Sequence, residues 1–268
     1  MSGLESAALY LQDAYLRDSP ATVLGHTAEG GVVLDQSIFY PTGGGQPGDS
    51  GQISWDGKTL DIATAVKGAG SEIVLVPAAP EALPDVGVKL HQSLDWDRRH
   101  RHMRVHTALH LLSVVLALPV TGGQIAEHKG RLDFLMPDPL EDREAVELAL
   151  NRLVDLDLPV TQVWISEDEL AAQPELVKTM SVAPPRGRGK IRLVAIGEGS
   201  SRVDLQPCGG THVARTAEIG AVRLGKVESK VFLLPIQEKL LRHYLPIQKL
   251  NILMQLLHLQ FQMPLYSQ

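Results

Sequence analysis

Two short motifs, far apart in the chain, have to meet. Val105–Ser113 reads VHTALHLLS and sets His106 and His110 four residues apart in a segment with helical apolar spacing. Residues so spaced share a helix face, with Cβ atoms about 5–6 Å apart, so both imidazoles can reach one ion. Pro207–His212 reads PCGGTH and carries Cys208, the sole cysteine of the chain, four residues before His212. Three histidines and one thiolate make a zinc-type donor set, because zinc takes nitrogen and sulfur ligands tetrahedrally. Gly209 and Gly210 beside Cys208 point to an exposed turn rather than a buried thiol. A fold that uses both motifs must bring the second back onto the helix of the first.

The chain has 268 residues, enough for one large or two ordinary domains. A single cysteine excludes an internal disulfide and suits a reducing compartment. The N-terminus, MSGLESAALYLQDAYLRD, has no basic stretch leading into an apolar core, so no signal peptide is expected. No run approaches the ~20 apolar residues of a membrane span. A cytoplasmic protein without membrane attachment is therefore expected. A net charge of −6 argues against a general polyanion binder, and any nucleic-acid contact must come from a local patch. The sequence carries no signal for oligomeric state.

The expected fold class is α+β. Thr22–Leu24, Gly31–Leu34, Gly51–Trp55, Thr59–Val66 and Glu72–Val76 are short strand-like runs divided by turn residues. Such a series predicts a small N-terminal β-barrel. Within it lies Phe39–Asp49, FYPTGGGQPGD. Its three successive glycines permit positive φ and close backbone approach to a ligand. Both a hairpin loop and a loop presenting Thr42, Gly43, Gly44 and Gln46 to a substrate fit the pattern. No GK[ST] ending follows, so it is not a P-loop. Pro77–Pro84 reads as a linker. Arg98, Arg99 and Arg101 precede the histidine helix, and Arg186, Arg188 and Lys190 lie in a basic glycine-containing loop. Each group fits a phosphate contact; the first also fits a solvated helix face and the second a mobile loop. Leu140–Leu156 reads as an amphipathic helix with Ala145, Leu148, Ala149, Leu153 and Leu156 on its stripe. Glu167–Gln173 reads as a short helix capped by Ser166, with Glu169 at capping-box spacing. Val160–Ile165, Ile191–Ile196, Arg202–Leu205 and Ala221–Val227 read as strands.

Taken together, FYPTGGGQPGD, HTALHLL at His106–Leu112, RLDF at Arg131–Phe134 and CGGTHV at Cys208–Val213 resemble the alanyl-tRNA editing protein (AlaX) family. These are free-standing relatives of the editing domain of alanyl-tRNA synthetase, and this chain is similar to their medium-length type. The resemblance implies a barrel over residues 1–88 and, over 89–229, an α/β editing domain with a mostly antiparallel sheet and a metal-binding helix. From Val231 the sequence departs from the family pattern, so 230–268 is expected to be an altered C-terminal tail. The resemblance also implies zinc on His106, His110, Cys208 and His212, and misacylated tRNA(Ala) as the partner. The implied reaction is hydrolysis of the ester in seryl-tRNA(Ala), and in glycyl-tRNA(Ala). Zinc lowers the pKa of a bound water to about 7, which supplies a nucleophile; no side chain is assigned as general base. Thr107 stands where HExxH metalloproteases carry glutamate, which disfavours that class. Thr42, then Gln46, are the expected readers of the serine hydroxyl, since a pocket built to bond a hydroxyl rejects an analogue lacking it. Alternatives are a deacylase of another misacylated tRNA, such as seryl-tRNA(Thr), and a non-catalytic RNA- or protein-binding module with structural zinc.

Overall fold

A computed structural model of the protein describes residues 4–136, 139–178 and 189–227. The fold is α+β. Its strands up to residue 94 are β1 (Ala7–Ala8), β2 (Asp18–His26), β3 (Val32–Leu34), β4 (Gln36–Ser37), β5 (Gly51–Trp55), β6 (Lys58–Lys67), β7 (Ile73–Pro77) and β8 (Lys89–Leu94). Strands β1 and β4 form a short parallel pair. The other six close an antiparallel barrel in the order β2-β3-β7-β6-β5-β8. Alternation explains it: along β6, Leu60 and Ile62 are buried while Thr59, Asp61 and Ala63 are exposed. The inward residues, among them Val23, Ile53, Leu60, Ile62 and Leu75, pack with Ile38 and Phe39 into one core. Closure leaves no open edge for another chain to pair with.

The expected strands end at Val76, but the barrel needs β8, which pairs with both β2 and β5. Its inward position holds Gln92, an amide where the pattern asks for a hydrophobe. Gln92 is wholly buried: Oε1 accepts from the Ile38 N–H at 3.3 Å, and Nε2 donates to the Gln36 carbonyl at 3.2 Å.

Helix α1 (Trp96–Leu116) follows directly, capped by Asp95, which accepts from the Arg98 N–H. Its buried face comprises Arg99, His102, Met103, His106, Thr107, His110, Leu111 and Ser113. The face has helical spacing but is mostly polar, so it is built for a site more than for a core. A hairpin of β9 (Val120–Ile125) and β10 (Gly130–Phe134) comes next, then α2 (Arg143–Asp155). The buried stripe of α2 is Val146, Leu150, Leu153 and Val154. This corrects the stripe expected from the sequence: Leu148 and Leu156 are 53% and 49% exposed. Both sets recur at helical spacing, and packing against Met103 and Leu111 of α1 selects the inner one.

The last layer is an antiparallel sheet of β11 (Val160–Ser166), β12 (Lys190–Ile196) and β13 (Asp204–Pro207), with β12 central. Between β11 and β12 comes α3 (Glu167–Ala171), whose expected capping box is present: Glu169 N–H on Ser166 Oγ at 3.1 Å, Ser166 N–H on Glu169 Oε2 at 2.7 Å. Ala221–Val227 is not a strand. Side chains of α2 take its backbone instead: Asn151 bonds Val222 through both amide atoms, and Glu147 accepts from the Leu224 N–H. The tail expected at 230–268 lies outside the described residues.

Candidate metal centre

The i, i+4 spacing on α1 stacks His106 over His110, ring centroids 5.2 Å apart. The turn after β13 carries His212 to within 4.2 Å of the His106 ring and 4.5 Å of the His110 ring. One donor atom from each of His106, His110, Cys208 and His212 lies within 4.8 Å of all the others. Cys208 Sγ is 3.6 Å from His106 Nε2 and 3.2 Å from His212 Nε2. A tetrahedron with metal–nitrogen bonds of about 2.0–2.1 Å and a metal–sulfur bond of about 2.3 Å has edges of roughly 3.3–3.6 Å, so the two sulfur–nitrogen separations are close to it and the widest separation in the set, within 4.8 Å, must contract around an ion. Gly210 makes the approach possible. A Cβ there would sit 2.3 Å from His106 Cε1.

Each imidazole is tied outward through Nδ1. His106 Nδ1 donates to Gln46 Oε1 at 3.0 Å. That oxygen also accepts from the Thr211 N–H at 3.2 Å, while Gln46 Nε2 donates to Thr211 Oγ1 at 2.9 Å, which fixes the amide orientation. His212 Nδ1 donates to Thr107 Oγ1 at 3.1 Å, whose own proton goes to the Met103 carbonyl. His110 Nδ1 bonds Asp204 Oδ2 at 3.0 Å. The three Nε2 atoms are thus left for an ion, the arrangement by which outer partners orient metal-binding histidines. Asp204 is itself paired with Lys178 and bonded by Gln206 Nε2 at 2.8 Å.

The electrostatics follow. Burial opposes charge on His110, but its hydrogen bonds to Asp204 and Cys208 outweigh this and raise its pKa to about 9. Burial pushes the Cys208 thiol up, and the neighbouring His106 and His212 more than reverse that, leaving a thiolate. Burial above all holds the pKa of His212 well below the ordinary imidazole value. A thiolate thus lies beside the His110 imidazolium, and an entering cation displaces that proton.

The other expected residues scatter. Thr42 is exposed, and its hydroxyl donates to the Ala65 carbonyl at 3.2 Å while accepting from the Gly48 N–H at 2.9 Å. Gly43 and Gly44 lie beside it, Gly43 accepting from the Tyr40 hydroxyl at 2.7 Å. Gly45, at φ +81°, lies so close to β9 that a Cβ would stand 2.6 Å from the Gly123 carbonyl oxygen. Gln46, expected at the substrate, is 1% exposed and bonded to His106 and Thr211. Arg99, expected to meet RNA, is wholly buried and braces the fold: it pairs with Asp49 and donates to the Ala14 and Ile38 carbonyls at 2.9 and 2.6 Å. Arg98 and Arg101 are half-buried and both reach Glu127. Lys190 is exposed at the start of β12, and Arg186 and Arg188 lie outside the described residues.

Sequence reasoning missed Asp204, Gln206, Thr107, Thr211, Lys178 and Arg192 as parts of the centre. Period-two alternation in β13 was the available signal for Asp204 and Gln206, which share a buried face. Arg192 Nη1 donates to the Cys208 and Gly210 carbonyls, both at 2.9 Å, and holds the ligand turn.

Comparison with known proteins bears on what such a centre serves. Residues 14–98 match the family model for tRNA synthetases class II (A), and residues 191–231 match that for the threonyl and alanyl tRNA synthetase second additional domain. The alanyl-tRNA editing protein AlaX-M of Methanosarcina acetivorans is 33% identical over 232 residues, covering 83% of this chain and 93% of the relative. The chain belongs to the alanyl-tRNA editing protein family. Among other relatives, the AlaX-L protein of Pyrococcus horikoshii is 34% identical over 223 residues, 81% of this chain and 53% of its own. The alanine–tRNA ligase of Pyrobaculum arsenaticum is 34% identical over 230 residues, 82% of this chain but 25% of the ligase. Cys208 and His212 fall inside the second matched segment of this chain, and His106 and His110 between the two.

Proposed function

We propose that the protein is a metal-dependent aminoacyl-tRNA deacylase that removes wrongly attached amino acids, chiefly serine and also glycine, from tRNA(Ala). The observation that carries this reading is the convergence of three buried imidazoles and a half-buried thiol, each imidazole oriented from outside, in a chain of the AlaX family. The three-nitrogen, one-sulfur set suits zinc. When bound, the ion supplies a Lewis acid and an acidified water.

The chain's own residues do the rest. Arg192 holds the Cys208–Gly210 turn, and Asp204, Gln46 and Thr107 hold the imidazoles. Thr42, Gly43 and Gly44 form the substrate-facing part of the glycine loop, and Gln46 acts from behind, through His106. A threonine hydroxyl has one proton and two lone pairs. Thr42 uses the proton on Ala65 and one lone pair on Gly48, so one lone pair remains to accept from a serine hydroxyl. Alanine offers no such donor. Thr42→Val is expected to narrow the ratio of seryl- to alanyl-tRNA(Ala) deacylation; an unchanged ratio refutes the assignment.

In this reading residues 1–88 supply the glycine loop and 89–229 the editing centre. Arg98, Arg101 and Lys190 meet the RNA; a groove of about 750 Å³ along α2, where Glu141, Asp142, Glu144 and Glu147 outnumber Arg143, repels a polyanion. The thiolate needs a reducing compartment, which suits the cytoplasm; no helix among the described residues is long and apolar enough to cross a membrane. One observation favours a second reading, a binding module with structural zinc: four protein donors close a tetrahedral site. Cys208, only half-buried, is the donor placed to yield. The deciding assay is deacylation of seryl-tRNA(Ala) by wild type, Cys208→Ala and chelator-treated protein. Metal-dependent loss of serine supports the enzyme, and inactivity of folded, loaded protein supports the module.

A further inference from the structure

The polar face of α1 continues one turn beyond the donors to His102, four residues before His106. His102 is 1% exposed, and its Nδ1 has no hydrogen-bond partner. Burial and then the charge of Arg98 keep this imidazole neutral. It borders a cleft of about 390 Å³ whose other walls are Pro47 of the glycine loop, Arg98, and the tip of the β9–β10 hairpin, Ala126–Lys129. The tip is a tight turn closed by the Ala126 N–H on the Lys129 carbonyl at 2.9 Å. His128 and Lys129 on it are exposed, and neither has an ion-pair partner among the described residues. Glu127 pairs with Arg98 at 3.5 Å and with Arg101 at 2.7 Å. Arg98 and Lys129 line the cleft with one carboxylate, Glu127, and Arg101, which also feels Asp95 and Asp97, stands on the far side of Glu127.

We propose that this cleft is a phosphate subsite for the 3′ end of the RNA. It takes the phosphodiester on the 5′ side of the terminal nucleotide, so that the ribose passes His102 and the ester arrives at His106 and His110. The proposal rests on the deacylase reading and adds where the strand enters. Four helical residues span about 6 Å, the scale of one nucleotide step, which places the phosphate and the ester on neighbouring turns of α1. His102, almost closed off from solvent, forms the floor beneath the ribose, while Arg98 and Lys129 stand at the mouth. Glu127 is the competitor: its hydrogen bond with Arg101 holds its carboxyl below the usual range, and a phosphate must displace it from the guanidinium groups it now occupies.

That competition gives the test two signs. The probe is an acceptor-stem minihelix whose terminal ribose carries serine through an amide, which cannot be hydrolysed. Binding is measured by titration at several salt concentrations, with deacylation of the ester substrate followed in parallel. Lys129→Ala is expected to weaken binding about two- to five-fold, the worth of one exposed charge contact, and to lower the salt slope by about 0.7. Glu127→Gln is expected to tighten binding, because both arginines lose their internal anion. Lys58→Ala, at the exposed start of β6, is the control for general charge. Melting temperatures exclude misfolding. If Lys129→Ala and Glu127→Gln both bind like wild type while deacylation proceeds, the subsite is refuted and the enzyme reading stands. If folded, metal-loaded wild type deacylates nothing, the enzyme reading fails, and the amide probe still reads the cleft.

Discussion

Gln46 is the residue on which the metal centre and the barrel depend together, and Gln46→Ala measures that dependence. The change deletes three hydrogen bonds at 2.9–3.2 Å, to His106 Nδ1, the Thr211 N–H and Thr211 Oγ1. It leaves two donors, on His106 and Thr211, in sites 8% and 0% exposed. An unsatisfied buried donor costs about 1–3 kcal/mol, so a loss of about 2–6 kcal/mol is expected if water does not enter. The His106 ring also loses the partner that fixes its tautomer. Loss of such an outer partner weakens metal binding about 10–100-fold, or about 1.4–2.7 kcal/mol. Competition for zinc against a chromophoric chelator reads this directly, and melting with and without metal separates it from general destabilisation. Gln46→Glu keeps an acceptor for His106 and is expected to recover most of the affinity. Wild-type zinc affinity in Gln46→Ala, with an altered ratio of seryl- to alanyl-tRNA deacylation, refutes the argument and returns Gln46 to the substrate.

Gly210→Ala places a methyl 2.3 Å from His106 Cε1 and 2.6 Å from its Nδ1, so bound metal measured by elemental analysis is expected to fall at least about tenfold while the barrel persists; full occupancy refutes this. Arg99→Met breaks a wholly buried pair with Asp49 and is expected to cost about 3–5 kcal/mol in denaturant unfolding, whereas a loss of RNA affinity at unchanged stability would restore it to the RNA face. Burial pushes the Glu218 carboxyl up, but hydrogen bonds from Tyr15 at 2.7 Å and His100 at 3.1 Å outweigh that and hold it below its ordinary value. A carboxyl lowered on folding contributes stability present above its unfolded pKa of about 4.3 and lost as pH falls through the folded one. Glu218→Gln is accordingly expected to flatten the fall of stability below about pH 4.3, and parallel curves for the two proteins refute it.

What could be read from the sequence was whatever spacing alone decides. His106 and His110 share a face at any i, i+4 separation on a helix, and Cys208 and His212 complete a donor set that geometry then assembles. The barrel was legible because short alternating runs between turn residues leave few other solutions. Strand β8 escaped because Gln92 fills a core position with an amide that satisfies itself on two backbone groups. Arg99 and Arg98 look alike in sequence. Only burial shows that one braces the fold and the other borders a cleft. Asp204 was invisible as a partner of His110, since 94 residues separate them and nothing local marks the pairing. Val222 and Leu224 have strand-like composition, but their backbone found side-chain partners on α2 before it found another strand.

The chain order of the centre also gives it a direction in time. As the protein is synthesised, Gln46 emerges first, then His106 and His110 on α1, and the barrel and a two-histidine half-site can form while Cys208 and His212 are still unmade. The other half arrives only when β13 pairs with β12 and swings the Cys208–His212 turn inward. Any ion held by all four donors therefore closes a loop that joins early-made chain to late-made chain, and it does so as one of the last events of maturation. Before the ion enters, the late-made half is already fastened to the early one by the Gln46–Thr211 and Thr107–His212 hydrogen bonds.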